Sequence, residues 1–219
     1  MPPPVRKPDP SDPPARPDPP SDNEQRILHH ALQSFATRGY AATGLRTIAA
    51  DAALTAPMVN YYFKTKEALY QQVASSVMSR LVAAVTAAAP TDGSLVELLA
   101  GNLLAHLKFT IDAPEAVRFL FGLMFGPEEG RPPIDHAPYV FVETRLRQRI
   151  DRAIRTGELT LHPGVTRADA LELYQGLVIS FVMHDLKALL HSKPTTDPRV
   201  ASRRLAILLA GIGSLASSA

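Results

Sequence analysis

From residue 23 onward, apolar positions recur at helical spacing between short breaks. Ile27, Ala31, Leu32 and Phe35 share one face of a first helix at about 23–38. Ser21, Asp22 or Asn23 can cap it, and Gly39 offers a left-handed stop. Leu45, Ile48, Ala49 and Ala52 form the inner face of a second, short helix that Thr43 can cap and that ends near Ala52 or Ala53. Thr55 caps a third helix, with Pro57 in the first turn, where its missing N–H costs nothing. Val59 and Phe63, four apart, point inward, and a fourth helix runs from Lys66 to about Ala88, before the Pro90–Gly93 break.

The same period predicts helices at about Leu95–Thr110, Pro114–Phe125, Tyr139–Thr156, Arg167–His191 and Pro198–Leu215. No convincing alternating strand and no internal repeat interrupts them, so the expected fold is all-α. Residues 1–22 differ sharply: ten of the chain's twenty prolines lie there, which predicts a disordered or polyproline-like tail, either solvated or a partner-binding arm. Expected domains are therefore the tail at 1–22, a three-helix domain at 23–70 and a larger helical domain at 71–219.

Composition narrows the picture modestly. The 219 residues are 46% hydrophobic and 20% charged, enough for a substantial core. With no cysteine, disulfides and thiolate metal sites are excluded, which fits a reducing cytoplasm. A net charge of +2 permits a nucleic-acid partner without demanding one. No run of about 18 apolar residues and no signal-peptide core is present, so the reading expects no membrane and a cytoplasmic location.

Two short helices joined by about three residues, after a longer one, make a helix-turn-helix. Its second short helix would enter a major groove. With Val59 and Phe63 inward, Ala56, Met58, Asn60 and Tyr61 lie outward; Asn pairs with adenine edges, and Met and Tyr touch thymine methyls. Tyr62 lies beside that face, and Lys64 and Lys66 sit at the helix end, suited to phosphates. Between residues 23 and 70, Arg26, Arg38, Arg46, Lys64 and Lys66 stand against Glu24, Asp51 and Glu67, a balance of 5 − 3 = +2. The same residues also fit the solvated positions of an ordinary helical bundle.

Residues 27–69 resemble the DNA-binding domain of TetR-type transcriptional repressors. Phe35, Gly39–Tyr40, Thr43, Ile48–Ala49, Ala52, Thr55, Tyr62–Phe63, Lys66–Glu67 and Leu69 carry the resemblance. It implies that Arg46 reaches a base or phosphate, that Met58, Asn60 and Tyr61 face the groove, and that Tyr62 and Lys66 contact phosphates. It also implies that Thr43 and Thr55 cap their helices and turn N–H groups toward the DNA backbone. Four positions depart from the family pattern: Ala53 replaces the turn glycine, Gly44 a hydroxyl residue, Asn60 a common tyrosine and Pro57 a frequent glycine. Ala53 thus requires a turn geometry that alanine tolerates.

A regulator of this type needs a partner surface and a sensor site. The helix at 167–191 is apolar on more than one side, through Leu171, Tyr174, Leu177, Val178, Phe181 and Val182 and, outside that stripe, Leu173, Ile179 and Met183. With Leu205, Leu208, Leu209, Ile212 and Leu215 of the last helix, it can form a four-helix homodimer interface, as the resemblance implies, or finish the monomer's own core. The dimer candidates are Tyr174, Leu177, Val178, Phe181, Leu205, Leu208, Leu209 and Ile212. An unknown small-molecule effector would meet Phe109, Phe119, Phe121, Met124 and Phe125, with His106, Tyr174 and His184 as polar groups.

Catalytic motifs of the HExxH, GxSxG and GxxxxGK[ST] kinds do not occur. GIGSLA at 211–216 imitates a dinucleotide-binding pattern but has no expected strand before it, and Glu128, Glu129, Asp135 and His136 fit a solvated loop better than a metal site. No cofactor and no catalytic residue is expected. The expected function is a ligand-responsive repressor that binds a near-palindromic double-stranded DNA operator as a dimer. A protein-binding helical adaptor, or an enzyme acting on an apolar small molecule, remains the alternative.

Overall fold

The computed structural model describes residues 21–88, 93–128, 130–193 and 195–216. Most of the proline-rich tail, and Glu129 of the acidic loop, lie outside the described residues. Nine helices dominate the rest: α1 Asp22–Ala42, α2 Leu45–Asp51, α3 Ala56–Tyr62, α4 Lys66–Ala88, α5 Leu95–Asp112, α6 Pro114–Phe125, α7 Ala137–Thr156, α8 Arg167–Leu190 and α9 Pro198–Ile212. The all-α expectation holds.

Ser21 caps α1 by accepting from the Glu24 N–H at 3.3 Å. The helix is broken at Gly39, whose φ of 76° and ψ of 173° belong to a region essentially reserved for glycine. Helical turns resume to Ala42, so the element is longer than expected. Thr43 does not cap α2. Its N–H bonds the Tyr40 carbonyl, its hydroxyl reaches the Gly39 and Ser34 carbonyls at 2.7 and 3.2 Å, and Gly44 occupies the N-cap. Closing the kinked end of α1 wins because the Ser34 and Gly39 carbonyls both lie within reach of one buried hydroxyl.

The core runs from this head into the body without a break. Ile27, Ala31 and Phe35 of α1 pack with Ile48, Ala49, Val59 and Phe63, and then with Leu69, Tyr70 and Val73 of α4. Rings continue the contact: Tyr70 lies edge-on to Phe35, Tyr40 and Phe119 at 5.0, 4.9 and 5.4 Å, tying α1, α4 and α6 together. In the body, capping boxes start α5 (Ser94 with Glu97) and α8 (Thr166 with Asp169). Hydrogen bonds from these caps hold the Glu97 and Asp169 carboxyls below their ordinary pKa.

One element escaped the sequence reading. After α9 the chain forms β2 (Gly213–Leu215), antiparallel to β1 (Leu159–Leu161). Three residues are too few to display a period of two. The second glycine in GIGSLA has a structural role: a Cβ at Gly213 would sit 2.4 Å from the Thr160 carbonyl oxygen. Helix α8 is, among the described residues, the one helix long and apolar enough to cross a membrane, by length and composition alone. It packs against α5, α7 and α9, which accounts for apolar groups on more than one side.

Replacing Gly213 with Ala forces the β1–β2 backbones apart and should destabilise the protein by roughly 1–3 kcal/mol in thermal unfolding. Gly211→Ala, inside α9 where an added Cβ meets nothing within 4 Å, serves as the control and should leave stability unchanged or raise it slightly.

Candidate nucleic-acid interface and ligand cavity

The turn between α2 and α3 sets the angle of α3. The Ala53 N–H bonds the Ala50 carbonyl at 3.0 Å, and the Leu54 N–H bonds the Ala49 carbonyl at 2.8 Å. This bond pair is a Schellman end, with Ala53 at the left-handed position that glycine normally fills. Ala53 indeed has φ 52°, so alanine is held where its Cβ is unfavourable by about 1 kcal/mol. From α1, the Arg26 guanidinium donates to the Ala52 carbonyl and pins the turn to the long helix.

Helix α3 starts at Thr55, whose carbonyl takes the first helical bonds from Met58 and Val59 and whose side chain makes no capping bond. Val59 and Phe63 are buried, which turns the opposite face to solvent. Tyr61 is 81% exposed, beyond every other large apolar residue among those described. Thr55, Asn60 and Lys64 are also exposed, whereas Ala56, Met58 and Tyr62 are half-buried. Tyr62 supports Tyr61 edge-on at 5.3 Å.

Arg46 projects from α2 into solvent. Lys66 is held: its ammonium lies 4.2 Å above the Tyr40 ring and 3.4 Å from the Ala41 carbonyl. Arg38 pairs with Asp51 at 3.6 Å, so part of the head's positive charge is already answered. Thr43 is buried and engaged with α1, which leaves its hydroxyl nothing to offer a phosphate.

In the body, a cavity of about 120 Å³ lies among α4, α5, α6, α7 and α8. It brings together four of the residues singled out from the sequence, His106, Phe121, Met124 and Tyr174. Phe109 and Phe119 pack in the core instead, Phe125 is exposed and stacked on Phe121, and His184 faces Asp185 and Thr196. The Tyr174 hydroxyl is 2.8 Å from both the Leu99 carbonyl and Asn102 Oδ1, and burial raises its pKa. His106 Nδ1 lies 2.8 Å from the Asn102 carbonyl and must donate to it, leaving Nε2 as an acceptor. Burial lowers the His106 pKa, offset in part by that bond.

The reading missed Asn102, a buried polar residue on an otherwise apolar face, and a larger cavity of about 680 Å³ beside it. Arg145, Arg149, Arg152 and Arg155 of α7 and Arg167 of α8 line this second cavity. The arginine spacing in RLRQRIDRAIR (145–155) is visible in the sequence, but only the packed bundle turns it into one wall of a cavity. Among the described residues, no group of three or more histidine or carboxylate side chains is placed to hold a metal ion.

Six of the dimer candidates, Tyr174, Val178, Phe181, Leu205, Leu209 and Ile212, are buried within the single chain. Leu177 and Leu208 are half-buried. Beside them, Leu173 and Ile207 stand 50% and 65% exposed and line a shallow α8–α9 groove with Leu177, Leu208 and Arg204.

Residues 27–73 match the family described as bacterial regulatory proteins, tetR family. The chain is 24% identical over 200 residues to the transcriptional repressor KstR2 of Mycolicibacterium smegmatis, covering 91% of this chain and 95% of that one. The fold resembles a tetR-family regulatory protein from Rhodococcus RHA1, with a TM-score of 0.69 at 24% identity, covering 90% of this chain and all of that one. It also resembles AibR in complex with isovaleryl coenzyme A and operator DNA, with a TM-score of 0.67 at 17% identity, over 86% of this chain and 98% of that one.

Ala53→Gly should stabilise the protein by up to about 1 kcal/mol in chemical unfolding, because it removes the left-handed penalty; a loss of stability would contradict the turn assignment. His106 gives a pH test. Its folded pKa lies below the ordinary 6.5, so the unfolded chain takes up the proton first as pH falls. Its contribution to stability is complete above that value and is lost on acidification below it. Between pH 7.5 and 5.5, His106→Gln should therefore lose less melting temperature than the parent; equal losses would show a solvated ring.

Proposed function

From its membership of the tetR family of bacterial regulatory proteins, we propose that this transcriptional regulator is a dimeric, effector-responsive repressor of the cytoplasm. Residues 23–70 read DNA; residues 71–219 bind the effector and a second copy of the chain. The observation that carries the reading is Tyr61, an aromatic residue 81% exposed at the tip of a helix whose other face is buried.

Tyr61 and Asn60 meet base edges, with Met58 and Ala56 at the margin of the contact. Thr55, Arg46, Lys64, Lys66 and Tyr62 meet phosphates and fix the register of α3 in the groove. Thr43 acts indirectly, by holding the end of α1 from which α2 departs. A second copy docks on the α8–α9 groove around Leu173, Leu177, Ile207 and Leu208, while the six buried candidates hold these two helices together. Two heads then meet half-sites about one helical turn apart, or a multiple of it.

Helix α4 joins the two functions, since Lys66 opens it beside the head and Leu81 lines the His106 cavity. A ligand that prefers one position of α4 changes the spacing of the heads and hence DNA affinity. Repression is favoured by the likeness to the repressor KstR2. An effector is favoured by AibR, a protein of this fold that holds a small molecule and operator DNA.

Titration of duplex DNA at several salt concentrations tests the reading. Lys66→Ala should weaken binding to every duplex and reduce the salt slope by about 1. Tyr61→Ala and Asn60→Ala should instead change the preferred sequence, and equal losses on all sequences for all three variants would refute this division of roles. Ile207→Arg should yield a monomer by sedimentation; a dimer in that variant would place the interface elsewhere.

A further inference from the structure

The polar groups around the His106 chamber are mostly spoken for. Thr110 donates its hydroxyl to the His106 carbonyl at 2.8 Å. The single Tyr174 hydroxyl proton is committed to the Leu99 carbonyl or to Asn102 Oδ1, each at 2.8 Å. Glu143 is paired with Arg147 at 2.9 Å. Tyr139 and Gln175 complete the polar lining, and both can donate or accept, so they suit either kind of ligand.

His106 suits only one kind. Its Nδ1 proton goes to the Asn102 carbonyl one turn back on α5, which fixes ring orientation and tautomer together. Nε2 is left as an acceptor, with no protein partner among the described residues. Burial lowers the ring's pKa, so Nε2 stays unprotonated at neutral pH. A lone water could satisfy one such acceptor. The chamber, however, measures about 120 Å³, roughly four water volumes, and walls such as Leu81, Val117, Leu120, Val142 and Val178 offer water no bonds.

Charge and size narrow the ligand further. No lysine or arginine is among the lining residues, and Glu143, the one carboxylate, is already answered, so neither an anion nor a cation finds a counter-charge there. Apolar cavities of roughly 150 Å³ in other proteins hold benzene, so this chamber has room for about one ring.

We infer that the effector is a small uncharged hydroxyl compound, its apolar body about one ring in size and its O–H donating to His106 Nε2. The inference rests on the effector-responsive reading above and names the ligand class of that sensor.

Calorimetric titration of the full-length protein without DNA, at neutral pH, tests it with phenol as probe and toluene, anisole and benzoate as comparisons. Toluene matches phenol in size but has no donor, anisole keeps the oxygen without its proton, and benzoate carries a charge. Phenol should bind at least about 5-fold more tightly than toluene or anisole, and benzoate should give no measurable heat. His106→Phe keeps a ring and removes the acceptor, so it should cut the phenol-to-toluene affinity ratio at least about 5-fold. An unchanged ratio in that variant overturns the assignment. So does no heat with phenol, or equal affinity for phenol and anisole in the parent, whether or not the variant folds. A duplex-DNA shift on the same sample separates the two readings. Phenol binding that leaves DNA affinity unchanged refutes the effector reading alone, and DNA binding without phenol binding refutes the ligand class alone.

Discussion

The structure depends on the burial of Val59 and Phe63 beneath α3. A seven-residue helix is about 10 Å long and far too short to persist by itself in water. Its existence and its orientation come from these two side chains, packed in one core with Ile27, Ala31 and Phe35 of α1 and Ile48 of α2. Burying each such side chain contributes on the order of 1.5–3 kcal/mol, more than the left-handed penalty at Ala53. Packing therefore overrides an unfavourable turn residue and leaves Tyr61 and Asn60 facing outward.

The head is also continuous with the body. Phe35 and Tyr40 of α1, Tyr70 of α4 and Phe119 of α6 form one aromatic cluster, and the Lys66 ammonium covers its Tyr40 edge. Burial, with the Glu67 carboxylate adding to it, raises the Tyr40 pKa. Lys66 thus holds the junction of α1 with α4, beside the phosphate contact proposed for it. Because α4 and α6 both wall the His106 cavity, a rearrangement there has a packed route to the groove helix.

Much of the fold was legible because proline and glycine punctuate it: α4 and α6 have the bounds that the sequence suggested, and α3 begins at its cap and proline. Thr43 shows what spacing cannot resolve, since one hydroxyl had donors on one side and carbonyls on the other. The β1–β2 pair was too short to leave a pattern. Periodicity gave α8 and α9 their apolar faces but not which side meets its own chain. The rotation of each helix in the finished bundle separates buried Tyr174 from exposed Leu173. The arginine cavity needed α4, α5 and α7 to be brought together before a row of charges became a concave wall.

In the proposed complex, two α3 helices, one from each copy, read the halves of one site. Selection of fragments from the source genome by the purified protein, near physiological salt, addresses it most directly. Enrichment of a near-palindrome whose half-sites lie about one helical turn apart, or a multiple of it, is expected. Recovery of no sequence above nonspecific background, or of an isolated half-site bound as well as the pair, would contradict it.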